Sequence, residues 1–128
     1  MTVFVETDFL LAIATDDDCR QEGAEAVLDE REVVTSPFAY LELLIVLERK
    51  QFDYISLFAN LLDIVPVSNE EEKQIVLKAV AYLEDGMSPF DSFHAATAET
   101  RGLSIISSDT AYGDGTAERL PLEPDTDE

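Results

Sequence analysis

Short apolar runs alternate with longer segments that carry helix start and stop signals. That alternation constrains the fold more than any other feature of the chain. Thr2 to Glu6 reads as a short buried strand, and Thr7 to Ala14 as a helix that starts at once, capped by Thr7 or Asp8. Asp16-Asp17-Asp18 opens a second, amphipathic helix to about Glu30, followed by a strand over Glu32 to Thr35. Ser36-Pro37 places an N-cap before a proline at the first helical position and opens a helix to about Arg49. Residues 52–62 form another helix, and Asp63 to Val67 a third strand whose Pro66 suits a sheet edge. Ser68 or Asn69 caps a helix to Asp85, stopped by Gly86; Ser88-Pro89 opens a further one to Arg101, stopped by Gly102. Leu103 to Ser107 is the fourth strand, and Leu120 to Leu122 a weak fifth. The expected fold is an α/β sandwich around a central, mainly parallel sheet of about four or five strands, with sites at the strands' carboxyl ends.

A chain of 128 residues with 46% hydrophobic residues suits one domain with a real core. We expect that domain to span residues 1–123, with 124–128 as an acidic, disordered tail. No apolar run is long enough to span a bilayer, and the N-terminus lacks the basic region of a signal peptide. A single cysteine, Cys19, allows no internal disulfide and fits a reducing, cytoplasmic compartment; we read it as small and partly buried. Acids number 28 against 8 basic residues, for a net charge of −20. They are spread along the chain, which fits a protein adapted to molar salt, where the screening length falls to about 3 Å. A protein that targets a basic partner is the rival reading.

A few acids sit in apolar surroundings, where an unpaired buried carboxylate is costly. Glu42 is the one charged residue within 37–47, with Phe38, Ala39, Ile45 and Val46 as its helical neighbours. It is either a site residue or a carboxylate at the core margin paired to Arg49 or another base. Glu6 ends the first strand, where it is a site residue or an acid favoured by the next helix's dipole, a role Asp8 fills equally well. Asp91 stands three residues after Ser88, which also describes a capping box. Asp109 follows Ser107-Ser108 at the end of the fourth strand, and Asp114 lies between two glycines; both also suit polar turns. If the first and fourth strands lie side by side, these acids converge on one edge. Several ionised carboxylates share a pocket only around a hard cation, Mg²⁺ or Mn²⁺, and such a site suits phosphodiester hydrolysis.

Four segments then resemble the PIN-domain ribonucleases, and most closely the small VapC-like toxins of archaea and bacteria. They are Val3-Phe4-Val5-Glu6-Thr7-Asp8-Phe9-Leu10, Ser36-Pro37-Phe38-Ala39-Tyr40-Leu41-Glu42, Ser88-Pro89-Phe90-Asp91-Ser92-Phe93-His94-Ala95-Ala96, and Gly102 to Tyr112 with Ser108 and Asp109. The resemblance covers nearly the whole chain. It implies a PIN-like α/β/α fold and a Mg²⁺- or Mn²⁺-dependent endoribonuclease that cleaves RNA, commonly as a homodimer and often held inactive by an antitoxin. It implies Glu6 and Asp91 as principal metal ligands, completed by Glu42 and Asp109, with Asp8, Ser108 and Asp114 in support. Glu6 stands where the family usually has Asp, and Asp8 where it has Asn. The alternative reading, a non-catalytic PIN-like binding module with a degenerate metal site, starts from Glu6.

His94, one turn after Asp91, is a candidate proton carrier or a histidine satisfied at the core edge. Tyr40, Phe52, Tyr54, Phe58 and Tyr82 read as packing residues. The helix pair around residues 38–62 holds more apolar surface than one domain covers, and is the candidate dimer face or antitoxin groove. A phosphoacceptor receiver domain also clusters acids at strand ends, but it needs a lysine near the site, and no lysine follows Lys78.

Overall fold

A computed structural model describes residues 1–15, 18–48, 52–107, 112 and 118–122. Its elements run β1 (Thr2–Phe4), α1 (Thr7–Ala14), α2 (Asp18–Glu30), β2 (Glu32–Val34), α3 (Pro37–Leu47), α4 (Tyr54–Ile64), α5 (Glu70–Glu84), α6 (Pro89–Thr100), β3 (Ile105–Ser107) and β4 (Arg119–Pro121). This mixed α/β order, with parallel strands, has the character of the expected sandwich.

Local chemistry sets most of the helix ends. Asn69 Oδ1 accepts the Glu72 amide at 2.9 Å and starts α5; Ser88 Oγ accepts the Asp91 amide at 3.3 Å and starts α6. Asp53 starts α4 by accepting both the Ser56 amide (3.2 Å) and its hydroxyl (2.8 Å), bonds that hold its carboxyl below the usual range. α5 and α6 are followed by Gly86 and Gly102, whose φ values of +104° and +65° disfavour any residue with a Cβ. α1 departs from expectation, because its N-cap is Glu6 rather than Thr7 or Asp8.

The strands depart further. β1 and β2 pair in parallel with Val3 opposite Val33, and β3 and β4 pair in parallel with Ile106 opposite Leu120. Among the described residues these are two separate two-stranded sheets, so the first and fourth strands are not hydrogen-bonded side by side. The expected third strand is reduced to a bridge between Thr35 and Val67, because α4 continues through Ile64. Three-residue strands offer few ladder bonds, and Phe4 and Ile106 stay 65% and 64% exposed.

The core lies among the helices. α3 is central: Tyr40, Leu43, Leu44 and Leu47 are fully buried and meet Leu10, Phe58, Val76, Ala79 and Val80 in one cluster. α5 and α6 pack along each other, with Ala95 and Ala96 fully buried. Tyr40 and Phe58 lie with ring centroids 5.6 Å apart, a tilted aromatic pair. The expected packing tyrosines and phenylalanines are thus inside or partly inside, whereas Cys19 is exposed rather than partly buried.

Tyr40 also carries a polar duty. Its hydroxyl donates to the Val65 carbonyl at 2.6 Å, and burial raises the phenol well above its ordinary 10.0. Tyr40→Phe orphans that carbonyl and is expected to cost about 1–3 kcal/mol in denaturant unfolding. The raised value means that the folded chain holds this proton after the unfolded chain has released it. The stability present below pH 10 therefore declines as pH rises beyond it, and the decline is expected to be shallower in Tyr40→Phe.

Candidate functional site

Two threonines tie together the segments that carry the first two candidate acids. Thr35 follows β2, is fully buried, and donates its hydroxyl to the Val5 carbonyl at 2.6 Å. The Val5 amide in turn donates to the Val34 carbonyl at 3.0 Å. Residue 6 therefore leaves the sheet beside the point where Ser36-Pro37 turns the chain into α3. Thr7, one residue after Glu6, donates its hydroxyl to Glu42 Oε1 at 3.0 Å. This bond ties the acid of α3 to the start of α1 across 35 residues of sequence.

The surroundings of Glu42 differ from expectation. It is exposed, and its helical neighbours Phe38, Ile45 and Val46 are exposed beside it. α3 is apolar around its whole circumference, so its outer face is apolar too, and Glu42 belongs to that outer face. Its partner is Thr7; the other expected partner, Arg49, lies outside the described residues. Glu6 and Asp8 are exposed as well, and line an open groove with Phe4, Phe9 and Arg20.

Asp91 is partly buried in the first turn of α6. Its backbone amide serves the cap on Ser88, so its carboxylate is left for other work. Oδ1 accepts the Tyr112 hydroxyl at 3.0 Å, and Tyr112 is itself buried. No spacing rule signals this pairing, which spans 21 residues. Thr7 had a clearer signal, since it sits directly between the two acids Glu6 and Asp8. His94 is exposed one turn beyond Asp91 rather than satisfied at the core edge.

Asp109, Ser108 and Asp114 lie outside the described residues. Among the described residues, no group of three or more His, Cys, Asp or Glu could hold a metal ion. Glu6, Glu42 and Asp91 supply oxygen donors of the kind that hard divalent cations take, and no soft ligand stands among them. Their chemistry fits such an ion, but the described residues do not bring the three together as a ligand set. No described helix is long and apolar enough to cross a membrane.

No curated protein matches the sequence significantly. The PIN domain family does match it, over residues 3–114, a span that takes in Glu6, Glu42, Asp91, Asp109 and Asp114. PIN domains are generally nucleases that bind RNA and use divalent metal ions, usually Mg²⁺. With the match covering most of its length, this chain belongs to the PIN domain family.

Proposed function

We propose that the chain is a divalent-metal-dependent endoribonuclease and the toxin of a toxin–antitoxin pair, acting in the cytoplasm of a halophile. The observation that carries this reading is the Thr7–Glu42 bond, which ties Glu42 to the residue that follows Glu6 in a PIN domain. Glu6, Glu42, Asp91 and Asp109 are the proposed ligands of Mg²⁺ or Mn²⁺, with Asp8, Ser108 and Asp114 supporting them. Residues 1–123 form the catalytic domain and 124–128 an acidic tail.

When bound, the ion neutralises the carboxylates, polarises the scissile phosphate and lowers the pKa of the attacking water. The chain's own residues set the geometry. Thr7 holds one oxygen of Glu42 by its hydroxyl and so restrains the carboxylate. Tyr112 does the same for Asp91, and Ser88 fixes the helix turn on which Asp91 rides. Ile45 and Val46 on α3 and Ile55 and Ile64 on α4 are exposed apolar residues, and we propose them as contacts for a second copy in a homodimer or for an antitoxin.

A second reading has its own support. Glu6 stands where Asp is usual, and the described acids alone do not form a ligand set. That reading is a PIN-like module without a metal. Calorimetric titration with Mn²⁺ in molar KCl separates the two: saturable uptake that Asp91→Asn abolishes supports the nuclease, and its absence supports the module.

Incubation with total RNA and defined oligoribonucleotides in molar KCl tests the activity itself. Cleavage is expected with Mn²⁺ and is expected to disappear with chelator and in Asp91→Asn. Metal-dependent cleavage that persists in Asp91→Asn would sink the residue assignment. Thr7→Val keeps the shape of the side chain and removes its proton. Because a misplacement of about 1 Å can cost on the order of a hundredfold in rate, this variant is expected to lose about ten- to a hundredfold in kcat. Its thermal unfolding is expected to shift by only about 0.5–1.5 kcal/mol, the net worth of one hydrogen bond.

A further inference from the structure

Tyr112 differs from two other hydrogen-bonded tyrosines of the chain. Tyr40 and Tyr54 donate their hydroxyls to backbone carbonyls, those of Val65 and Leu47. Tyr112 donates to a carboxylate, Asp91 Oδ1, at 3.0 Å. The residue is only 7% exposed, so its ring is confined and its hydroxyl stays near one place.

Asp91 is held from its backbone as well. Its amide donates to Ser88 Oγ at 3.3 Å, and the Ser92 hydroxyl and amide both donate to the Ser88 carbonyl, at 2.7 and 2.8 Å. The carboxylate therefore hangs between a fixed helix turn and a confined ring, and its two oxygens are unequal. Oδ1 takes the phenol proton, whereas Oδ2 has no hydrogen-bond partner among the described residues. Asp91 is partly buried, which leaves it within reach of an ion.

That inequality matters to a metal. A carboxylate binds an ion through one oxygen or chelates it through both. An oxygen that already accepts a proton has one lone pair fewer and less charge to offer, so chelation is disfavoured. Mg²⁺ is small, holds strict octahedral geometry and keeps several waters, whereas Ca²⁺ takes more oxygens and readily both of one carboxylate. We propose that Tyr112 makes Asp91 a one-oxygen ligand and thereby sets a preference for Mg²⁺ over Ca²⁺. The inference rests on the metal-dependent reading above and assigns the choice of ion to one hydroxyl. A phenylalanine would fill the same space; the proton is what distinguishes Tyr112 from it, and that proton goes to the candidate ligand.

The test is calorimetric titration of the whole chain with MgCl₂ or CaCl₂ in molar KCl, which screens loose uptake by the 28 acids. The parent is expected to bind Mg²⁺ more tightly than Ca²⁺. In Tyr112→Phe that ratio is expected to fall about tenfold or more, the scale on which losing the partner of a metal ligand acts. Tyr40→Phe, which removes a buried hydroxyl elsewhere, is expected to leave the ratio in place. An unchanged ratio in Tyr112→Phe overturns the proposal, as does a parent that prefers Ca²⁺. An equal loss for both ions also overturns it, because a residue that merely supports the fold acts in that way. A second measurement needs no variant. In proton NMR the buried Tyr112 hydroxyl is expected to persist at saturating Mg²⁺, and its loss there overturns the proposal even if Tyr112→Phe fails to fold. A ratio that depends on Tyr112 in a chain that never cleaves RNA keeps the proposal and sinks the nuclease reading. Metal-dependent cleavage with a ratio indifferent to Tyr112 does the reverse, and a chain that takes up neither ion sinks both.

Discussion

The buried hydroxyl of Thr35 is the contact on which the rest of the site depends. It reaches the Val5 carbonyl at 2.6 Å, while the Thr35 amide donates to the Pro66 carbonyl at 3.0 Å. One residue thereby joins the end of β1, the end of β2 and the segment after α4. Thr35 is fully buried, so its amide or the Val5 carbonyl left unpaired would cost about 1–3 kcal/mol. The exits toward α1 and α3 are consequently fixed relative to each other before any acid is placed. Thr7 then needs to span only a short gap to reach Glu42. A small β-branched residue suits the post at 35, where its hydroxyl bonds the neighbouring strand.

Much of the helical frame was legible in the sequence because its signals are local. Asn69, Ser88, Gly86 and Gly102 act within a few residues of themselves, through caps and positive φ, and stand where they were expected. The sheet was less legible. Strand pairing joins distant segments, and runs such as Val3-Phe4-Val5 say nothing about which edge stays open. The segment 37–47 was misleading in a specific way. A helix that is apolar on every side gives no period from which to read its inner face, so Glu42 looked enclosed when it is exposed. The partners Thr7 and Tyr112 escaped for a related reason. Their hydrogen bonds arise from tertiary approach, across 35 and 21 residues.

The charge distribution and the packing divide the work of stability between them. Among the described residues the ion pairs include Lys78–Glu99 at 4.0 Å and Arg101–Glu71 at 3.1 Å, both between partly exposed side chains. Pairs of that kind contribute little. Cohesion therefore comes from the apolar cluster around α3, against the mutual repulsion of a surface with net charge −20. Dissolved salt weakens the repulsion and leaves the cluster intact, so the fold and a salt-rich solvent are suited to each other.

The bond from Tyr112 to Asp91 has an optical consequence. The chain contains no tryptophan and four tyrosines, so its ultraviolet emission is that of phenols alone. A phenol that donates to a carboxylate is quenched in its excited state, because the proton has an acceptor in place. Tyr112 is therefore a dim chromophore whose brightness follows the occupancy of one particular oxygen, Asp91 Oδ1. Any event that draws that oxygen away changes the light the molecule emits, with no label attached.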